Sequence, residues 1–467
     1  MLSEWLSIID SFVWGVPLIS LIVFVGIYLT VRLKFLQIFS LKRAMKSIFE
    51  KEQGADGDVS GFGALCISLS ATLGTGNIVG VATAVILGGP GALFWMLVAA
   101  FFGMATKYAE GVLAVKYRVK SGSGHIGGPF YYIERGMGEK YKWLAKAFAF
   151  FGAVAGALGI GTVAQISGIT AAARDFFDPN RQNCAFTLFG NSYTVAEVIT
   201  GVIVTLLAGA VLIGGVKRIA KVSQFFIPVM SFIYIFICLT ILLTNATALP
   251  QAVWVIIKGA FNPKAVTGGT VGSMFAALQV GVARGVFTNE SGLGSAPIAA
   301  AAAKSNSCVK QGLVSMTGTF IDTMIMCTIT GLCIVVTGAW RQSGLEGVQV
   351  TAYTFSQGIN FLSDRACEGI LSLCLVFFAF STIIGWYYYA RCCAEYFFNC
   401  NPFAIKAYRI FYIAAVGVGA YIPVSAVWSL ADIFNALMAL PNLWALLALS
   451  GEVIKETKEE ILGSPKC

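Results

Sequence analysis

Charge is scarce in this chain. Only 12% of its 467 residues are charged, against 57% hydrophobic, whereas a soluble protein carries roughly twice that charge fraction. An ordinary soluble fold is thereby excluded. Histidine is nearly absent: His125, in a Gly-rich loop, is the only one, which argues against a histidine-ligated metal site and leaves no Ser/His/Asp constellation for an enzyme. The 12 cysteines show no C-x-x-C pairing. Most of them (Cys66, Cys238, Cys327, Cys333, Cys374, Cys392 and Cys393) fall in apolar runs and read as small apolar side chains rather than a disulfide framework. The opening MLSEWLSIID lacks the basic start of a secretory signal and reads as mature sequence.

What the chain has in abundance is apolar runs, and these predict an all-α polytopic membrane protein. Eleven spans are expected, at 12–34, 61–89, 91–115, 145–173, 193–214, 222–245, 268–303, 310–339, 367–395, 405–423 and 427–449. Lys and Arg divide between alternate connections as 24 against 6, which places the N-terminus outside and the C-terminus in the cytoplasm of a plasma (inner) membrane protein. The net charge of +9 then belongs to cytoplasmic loops and not to a nucleic-acid surface. Neither an organic cofactor nor an obligate protein partner is implied; the surroundings are the lipid bilayer. Asn245-Ala-Thr matches a glycosylation triplet on a predicted outer loop, a pattern common by chance.

Setting aside the first span (12–34) leaves ten, which divide five and five: a first repeat over 61–246 and an inverted second repeat over 267–449, followed by a tail at 450–467. The first span of each half is interrupted by Gly, Ser and Thr. Paired interruptions at matching positions of two halves point to a transport site at the centre of an inverted repeat. No internal sequence identity supports the repeat; topology and breakers do.

The first interruption is SLSATLGTGNIVG, residues 68–80. Its G-x-G-x-x-x-G spacing is one residue too long for a dinucleotide fingerprint, and no Gly-Lys-Ser/Thr follows for a P-loop. Gly76 and Gly80 also form a G-x-x-x-G packing face, which stays open as a partial account. The alternative is a helix broken in two. Non-helical backbone at membrane depth is tolerated only inside protein or along a polar cavity. The amides of Gly76 and Asn77 would open a half-helix suited to a carboxylate, and the carbonyls near Leu73 would suit a small hard cation.

Three stretches, GTGNIVGVATAVILGGPGALFWM (74–96), GPFYYIERGMG (128–138) and RGVFTNESGLGSAPIAAAAA (284–303), resemble the signatures of the alanine or glycine:cation symporter family, the sodium:alanine symporters. The resemblance covers about residues 10–450. It implies a LeuT-like five-plus-five core of ten helices with one extra N-terminal helix, and sodium-driven uptake of alanine or glycine. Position by position, it assigns Thr75, Gly76 and Asn77 to the substrate carboxylate. It assigns Ser70 and Leu73, through backbone carbonyls, and the hydroxyls of Ser381 and Thr382 to sodium, the coupling ion. Oxygen ligands without a carboxylate fit a hard monovalent cation.

Further candidates carry two readings each. Gln165 is an interhelical hydrogen-bonding residue or a substrate contact, and the resemblance favours the pocket. Trp386 is a packing residue or a wall that limits side-chain size. Phe275, Gln279 and Gly281, in the second interrupted segment, line the pocket or simply pack. Charges within spans invite a functional reading: Lys107, Glu110, Arg284 and Glu290 are expected near cytoplasmic helix ends, as gate or loop ion pairs or as solvated ends. Asp322, mid-span, is a structural hydrogen-bonding group or a proton or cation relay. The leading expectation is a sodium-coupled symporter of a small neutral amino acid. Proton coupling through Asp322, and glutamine or serine as cargo, remain open, and a membrane enzyme or a channel fits poorly.

Overall fold

In a bilayer each backbone amide and carbonyl must find its partner within the protein, so long apolar runs fold as helices. The computed structural model describes residues 2–50, 52, 54–121, 124–188, 191–261, 274–359, 361–422 and 424–462. After a terminal helix at Leu2–Val13 come α1 (Val16–Arg32), α2 (Gly61–Thr72), α3 (Val79–Gly88), α4 (Gly91–Lys116), α5 (Lys142–Leu158), α6 (Val163–Phe177), α7 (Val195–Ile213) and α8 (Gly215–Thr244). The second half holds α9 (Met274–Asn289), α10 (Ala296–Ala301), α11 (Cys308–Val336), α12 (Asp364–Phe397), α13 (Pro402–Gly419), α14 (Val424–Ala448) and α15 (Ser450–Thr457). Two small antiparallel hairpins, β1 (Val119–Ser121) with β2 (Gly124–Ile126) and β3 (Cys184–Leu188) with β4 (Asn191–Thr194), sit in connections.

Among the described residues, 7 helices are long and apolar enough to cross a membrane, and the bent pair α2 and α3 brings the number to 8. The other three expected spans, at 12–34, 268–303 and 405–423, coincide with α1, α9 with α10, and α13. These are helical but fall short of that length or apolarity. Residues 262–273, which include the start of the seventh expected span and the expected repeat boundary at 267, lie outside the described residues, as does the tail beyond 462.

Burial sorts the helices into a centre and a rim. The most apolar window of α4 is 67% buried, whereas those of α7 and α8 are 33% buried, so α4 is a core helix and the latter two present side chains such as Leu206 and Phe232 to lipid. Without a hydrophobic drive between helices in lipid, close approach depends on small residues. Where α4 crosses α11, a methyl group on Gly111 would sit 2.6 Å from Ser315 Oγ, and one on Gly312 would sit 2.6 Å from the Val112 side chain. Larger residues there would push the two helices apart.

Three helices are interrupted. The α2 and α3 pair bends by 62°, and α9 gives way to α10 across residues 290–295. The third interruption falls inside the span expected at 145–173, which remains one span, Glu139–Phe177. The chain breaks between Leu158 and Val163, where the Thr162 hydroxyl bonds the Ala157 carbonyl at 2.8 Å and the Tyr412 hydroxyl bonds the Gly161 carbonyl at 2.8 Å. Those two hydroxyls supply partners that a continuous helix would have found in its own backbone.

Candidate functional site

The first break is built by a few replaced hydrogen bonds. The last regular bond of α2 runs from Leu73 N–H to the Leu69 carbonyl at 2.7 Å. The next amide, Gly74, donates instead to Asn77 Oδ1 at 3.1 Å. The Ser70 carbonyl, its partner in an unbroken helix, lies 3.4 Å from the Ser381 hydroxyl oxygen. Gly74 is required by close approach: a methyl group there would lie 2.6 Å from Thr382 Oγ1. Ser70, Leu73, Ser381 and Thr382 are all buried, and the Ser381 and Thr382 hydroxyls both donate to the Phe378 carbonyl, at 2.8 and 3.1 Å. Their lone pairs stay free to accept or coordinate. The end of α2 and the middle of α12 thus meet in a buried cluster of neutral oxygens.

Beside this cluster lies a cavity of about 520 Å³. Thr75, Gly76, Val79, Gly80 and Thr83 of the first break and α3 form one wall, and Ala164, Ser167 and Gly168 of α6 another. Arg284 and Phe287 of α9 and Asp432 of α14 complete the lining with Val348, Leu375 and Ser429. The cavity therefore has backbone amides at a half-helix start, one fixed cation and one carboxylate. Such a lining suits a small zwitterion.

The Asn77 side chain is engaged elsewhere. Its Nδ2 donates to Asp322 Oδ1 at 2.8 Å and to the Asp322 carbonyl at 3.3 Å. Asp322 occupies a π-helical stretch, Phe320–Cys327, inside α11, a local widening often found at functional positions. Its Oδ2 accepts from the Thr323 hydroxyl at 2.7 Å, and Thr323 Oγ1 in turn accepts from Asn289 Nδ2 at 3.1 Å. Asn289 ends α9. A chain of buried hydrogen bonds therefore joins the first break to the second.

The second break is held by charged side chains. Glu290, Gly292 and Gly294 all have positive φ, at 56°, 88° and 80°, and the freed backbone groups need partners. Glu110 Oε1 accepts the amides of Gly292 and Gly294, both at 3.2 Å, and Asn442 Nδ2 at 2.7 Å. Lys107 Nζ donates to the Asn289 carbonyl at 2.7 Å. Glu290 accepts from Trp386 Nε1 at 3.0 Å and from the Ser295 hydroxyl. These contacts correct the expectation for Lys107, Glu110 and Glu290: all three are buried instead of solvating helix ends, with Lys107 and Glu110 binding broken backbone and Glu290 accepting from side chains around the break. Arg284, expected with them, lines the cavity.

The remaining candidates are dispersed. Trp386 is buried, in contact with the second break through Glu290 and with the third through Gly161, whose Cβ position is 2.7 Å from the Trp386 Cβ. Gln165 is buried between cavity-lining neighbours, and its Oε1 has no hydrogen-bond partner among the described residues. Gly281 packs α9 against α4, 2.4 Å separating its Cβ position from the Ala92 carbonyl oxygen. Phe275 and Gln279 are exposed, Phe275 at 73%. Neither borders the cavity described above. Ser167, Arg284, Phe287 and Asp432 border it without having been singled out for the pocket; Arg284 had at least drawn notice as a charge within an apolar span.

A family model, the Sodium:alanine symporter family, matches residues 1–460. The chain belongs to that family. Among its relatives, an uncharacterized transporter of Haemophilus influenzae is 51% identical over 97% of this chain and 95% of its own. The sodium/alanine symporter AgcS of Methanococcus maripaludis is 44% identical over 96% and 95%. A probable sodium/glutamine symporter, GlnT, of Bacillus subtilis is 36% identical over 98% and 91%. Among solved structures, MhsT in complex with L-phenylalanine superposes with a TM-score of 0.57 at 13% identity, over 88% of this chain and 99% of that one. This similarity establishes the LeuT-type fold. The sodium:alanine symporter assignment makes the chain a multi-pass membrane transporter that couples amino-acid symport to a cation.

Proposed function

We propose that this symporter couples inward sodium movement to the uptake of a small neutral amino acid, alanine or glycine, by alternating access. The observation that carries the proposal is the first break. It puts Thr75 and Gly76 at a half-helix start beside the cavity, and the Ser70 carbonyl against the hydroxyl of Ser381. In this reading the half-helix dipole and amides hold the substrate carboxylate. Sodium takes the carbonyls of Ser70 and Leu73 with the hydroxyls of Ser381 and Thr382.

Thr75 and Gly76 meet the substrate directly, Asn77 holds the break through its side chain, and Gln165 turns its open Oε1 toward the substrate ammonium. Trp386, Phe275, Gln279 and Gly281 join the pocket as it closes, with Trp386 limiting side-chain size. Residues 61–246 and 267–449 form the two inverted halves. The N-terminus is outside, the C-terminus is cytoplasmic, and the cavity lies on the outer side. The name of the GlnT relative favours a second reading, glutamine as cargo.

The test is uptake of labelled alanine and glycine into proteoliposomes under imposed sodium or proton gradients, with glutamine and serine as competitors. Accumulation under a sodium gradient alone is the expected result. Accumulation driven by protons without sodium overturns the ion assignment, and stronger competition by glutamine than by alanine overturns the substrate.

A further inference from the structure

At the end of α1 the chain leaves the membrane core and reverses sharply. Lys34 and Phe35, neither of them glycine, both adopt left-handed backbone, with φ of 53° and 57°, before short helices at Leu36–Phe39 and Leu41–Ser47. This turn faces α15 and its π-helical continuation, Lys458–Leu462. Between the two runs a groove of about 340 Å³. Its floor is apolar, from Leu33, Leu36 and Ile454, and its rim is basic, from Arg32, Lys34 and Lys458.

The three cations are exposed, and among the described residues none of them pairs with a carboxylate. Arg32 is steadied by the Tyr28 hydroxyl at 2.9 Å and by that ring at 5.5 Å. The nearby acid Glu460 is turned away, accepting from the Ser307 hydroxyl at 2.6 Å and lying 3.6 Å from Arg43. Glu459 is exposed and does not line the groove. Alongside, Phe35, Ile38 and Phe39 present large apolar surface, Phe39 at 81% exposure. Apolar side chains beside uncompensated cations at the end of a membrane helix match the interfacial layer of a bilayer.

We propose that this groove is a binding site for an anionic phospholipid. The phosphate headgroup lies between Arg32, Lys34 and Lys458, and the proximal acyl chain lies over Leu33, Leu36 and Ile454. Basic pockets at the membrane boundary recognise anionic headgroups through this combination. Free phosphate would engage the rim but gain nothing from the floor. A bound lipid bridges the first transmembrane helix and the C-terminal helix, two segments far apart in sequence. The proposal stands apart from the choice of coupling ion and cargo.

The test uses the delipidated full-length transporter with phosphatidylglycerol, phosphatidylcholine or inorganic phosphate, bound lipid being counted by native mass spectrometry. The wild type should retain phosphatidylglycerol in preference to phosphatidylcholine, and excess inorganic phosphate should not displace it. Affinity should fall roughly fivefold for Lys34→Gln or Lys458→Gln alone, and on the order of a hundredfold when Arg32→Gln is added to both. Lys34→Arg with Lys458→Arg should restore retention. The single variants alter exposed side chains and keep the test interpretable if the triple variant does not fold. Equal retention of both lipids, displacement by phosphate, or unchanged affinity in the variants would overturn the proposal.

Discussion

The hydrogen bond between Asn77 and Asp322 supplies the sharpest quantitative test of how the two breaks are held together. Both side chains are fully buried, and the 2.8 Å bond joins an amide donor to a carboxylate. A hydrogen bond to a charged group is worth about 1.5–3 kcal/mol, and leaving such a buried group unpartnered costs at least as much. Asn77→Ala also removes the acceptor of the Gly74 amide, about 1 kcal/mol more. Asp322→Ala also strips the acceptor from the Thr323 hydroxyl. Each single substitution should therefore cost about 3 kcal/mol in the organised site, which is a loss of roughly a hundredfold in the ratio of maximal uptake rate to KM. Because the two substitutions remove the same bond, the double variant should be worse than either single one by less than about tenfold, a coupling of about 2 kcal/mol. The assay is initial uptake in proteoliposomes, corrected for the amount of folded protein. Multiplying losses, near ten-thousandfold in the double variant, would refute the reasoning.

Three other substitutions bear on separate parts of the account. Gly74→Ala should raise the sodium concentration for half-maximal uptake by about tenfold or more, because its methyl group, 2.6 Å from the Thr382 hydroxyl, displaces it; a sodium titration of uptake reads this directly. Trp386→Ala should widen the range of accepted side chains, measured by competition with glutamine, and unchanged selectivity would remove Trp386 from the closed pocket. The Glu134 carboxyl is pushed up by burial but pulled further down by the Lys142 ammonium and the Tyr396 hydroxyl, so its pKa lies below the ordinary 4.5. A carboxyl lowered in the folded state adds stability that is complete above its unfolded value and fades as pH falls through the lowered one. Glu134→Gln should accordingly reduce Tm at neutral pH and narrow the difference from wild type on acidification, as a thermal melt series across pH would register.

The helices and the first break were legible because a bilayer makes backbone satisfaction strict: apolar length gives spans, and a cluster such as SLSATLGTGN inside one can persist only as a break. The neutral-oxygen grouping of Ser70 with Ser381 was legible only through family resemblance, since 311 residues separate the two and no local pattern joins them. The break at 159–162 carried a signal, the glycines of GALGIGT, but glycine serves packing as readily as interruption. The roles of Lys107, Glu110 and Glu290 were hidden for a different reason. Sequence shows where charge lies along a span but not which broken backbone it faces, and their partners are main-chain groups and side chains of other helices. Asp432 escaped notice because a single acid near an expected span end looks like any solvated terminus.

The central claim is that neutral oxygens from the end of α2 and the middle of α12 bind the sodium that drives uptake. The most direct measurement is the sodium dependence of labelled alanine uptake in Ser381→Ala and Thr382→Ala, each beside wild type, at saturating substrate. The account predicts that the sodium needed for half-maximal uptake rises by about tenfold or more in both variants, with uptake recovering toward the wild-type maximum at high sodium. A sodium dependence unchanged from wild type in both would contradict it.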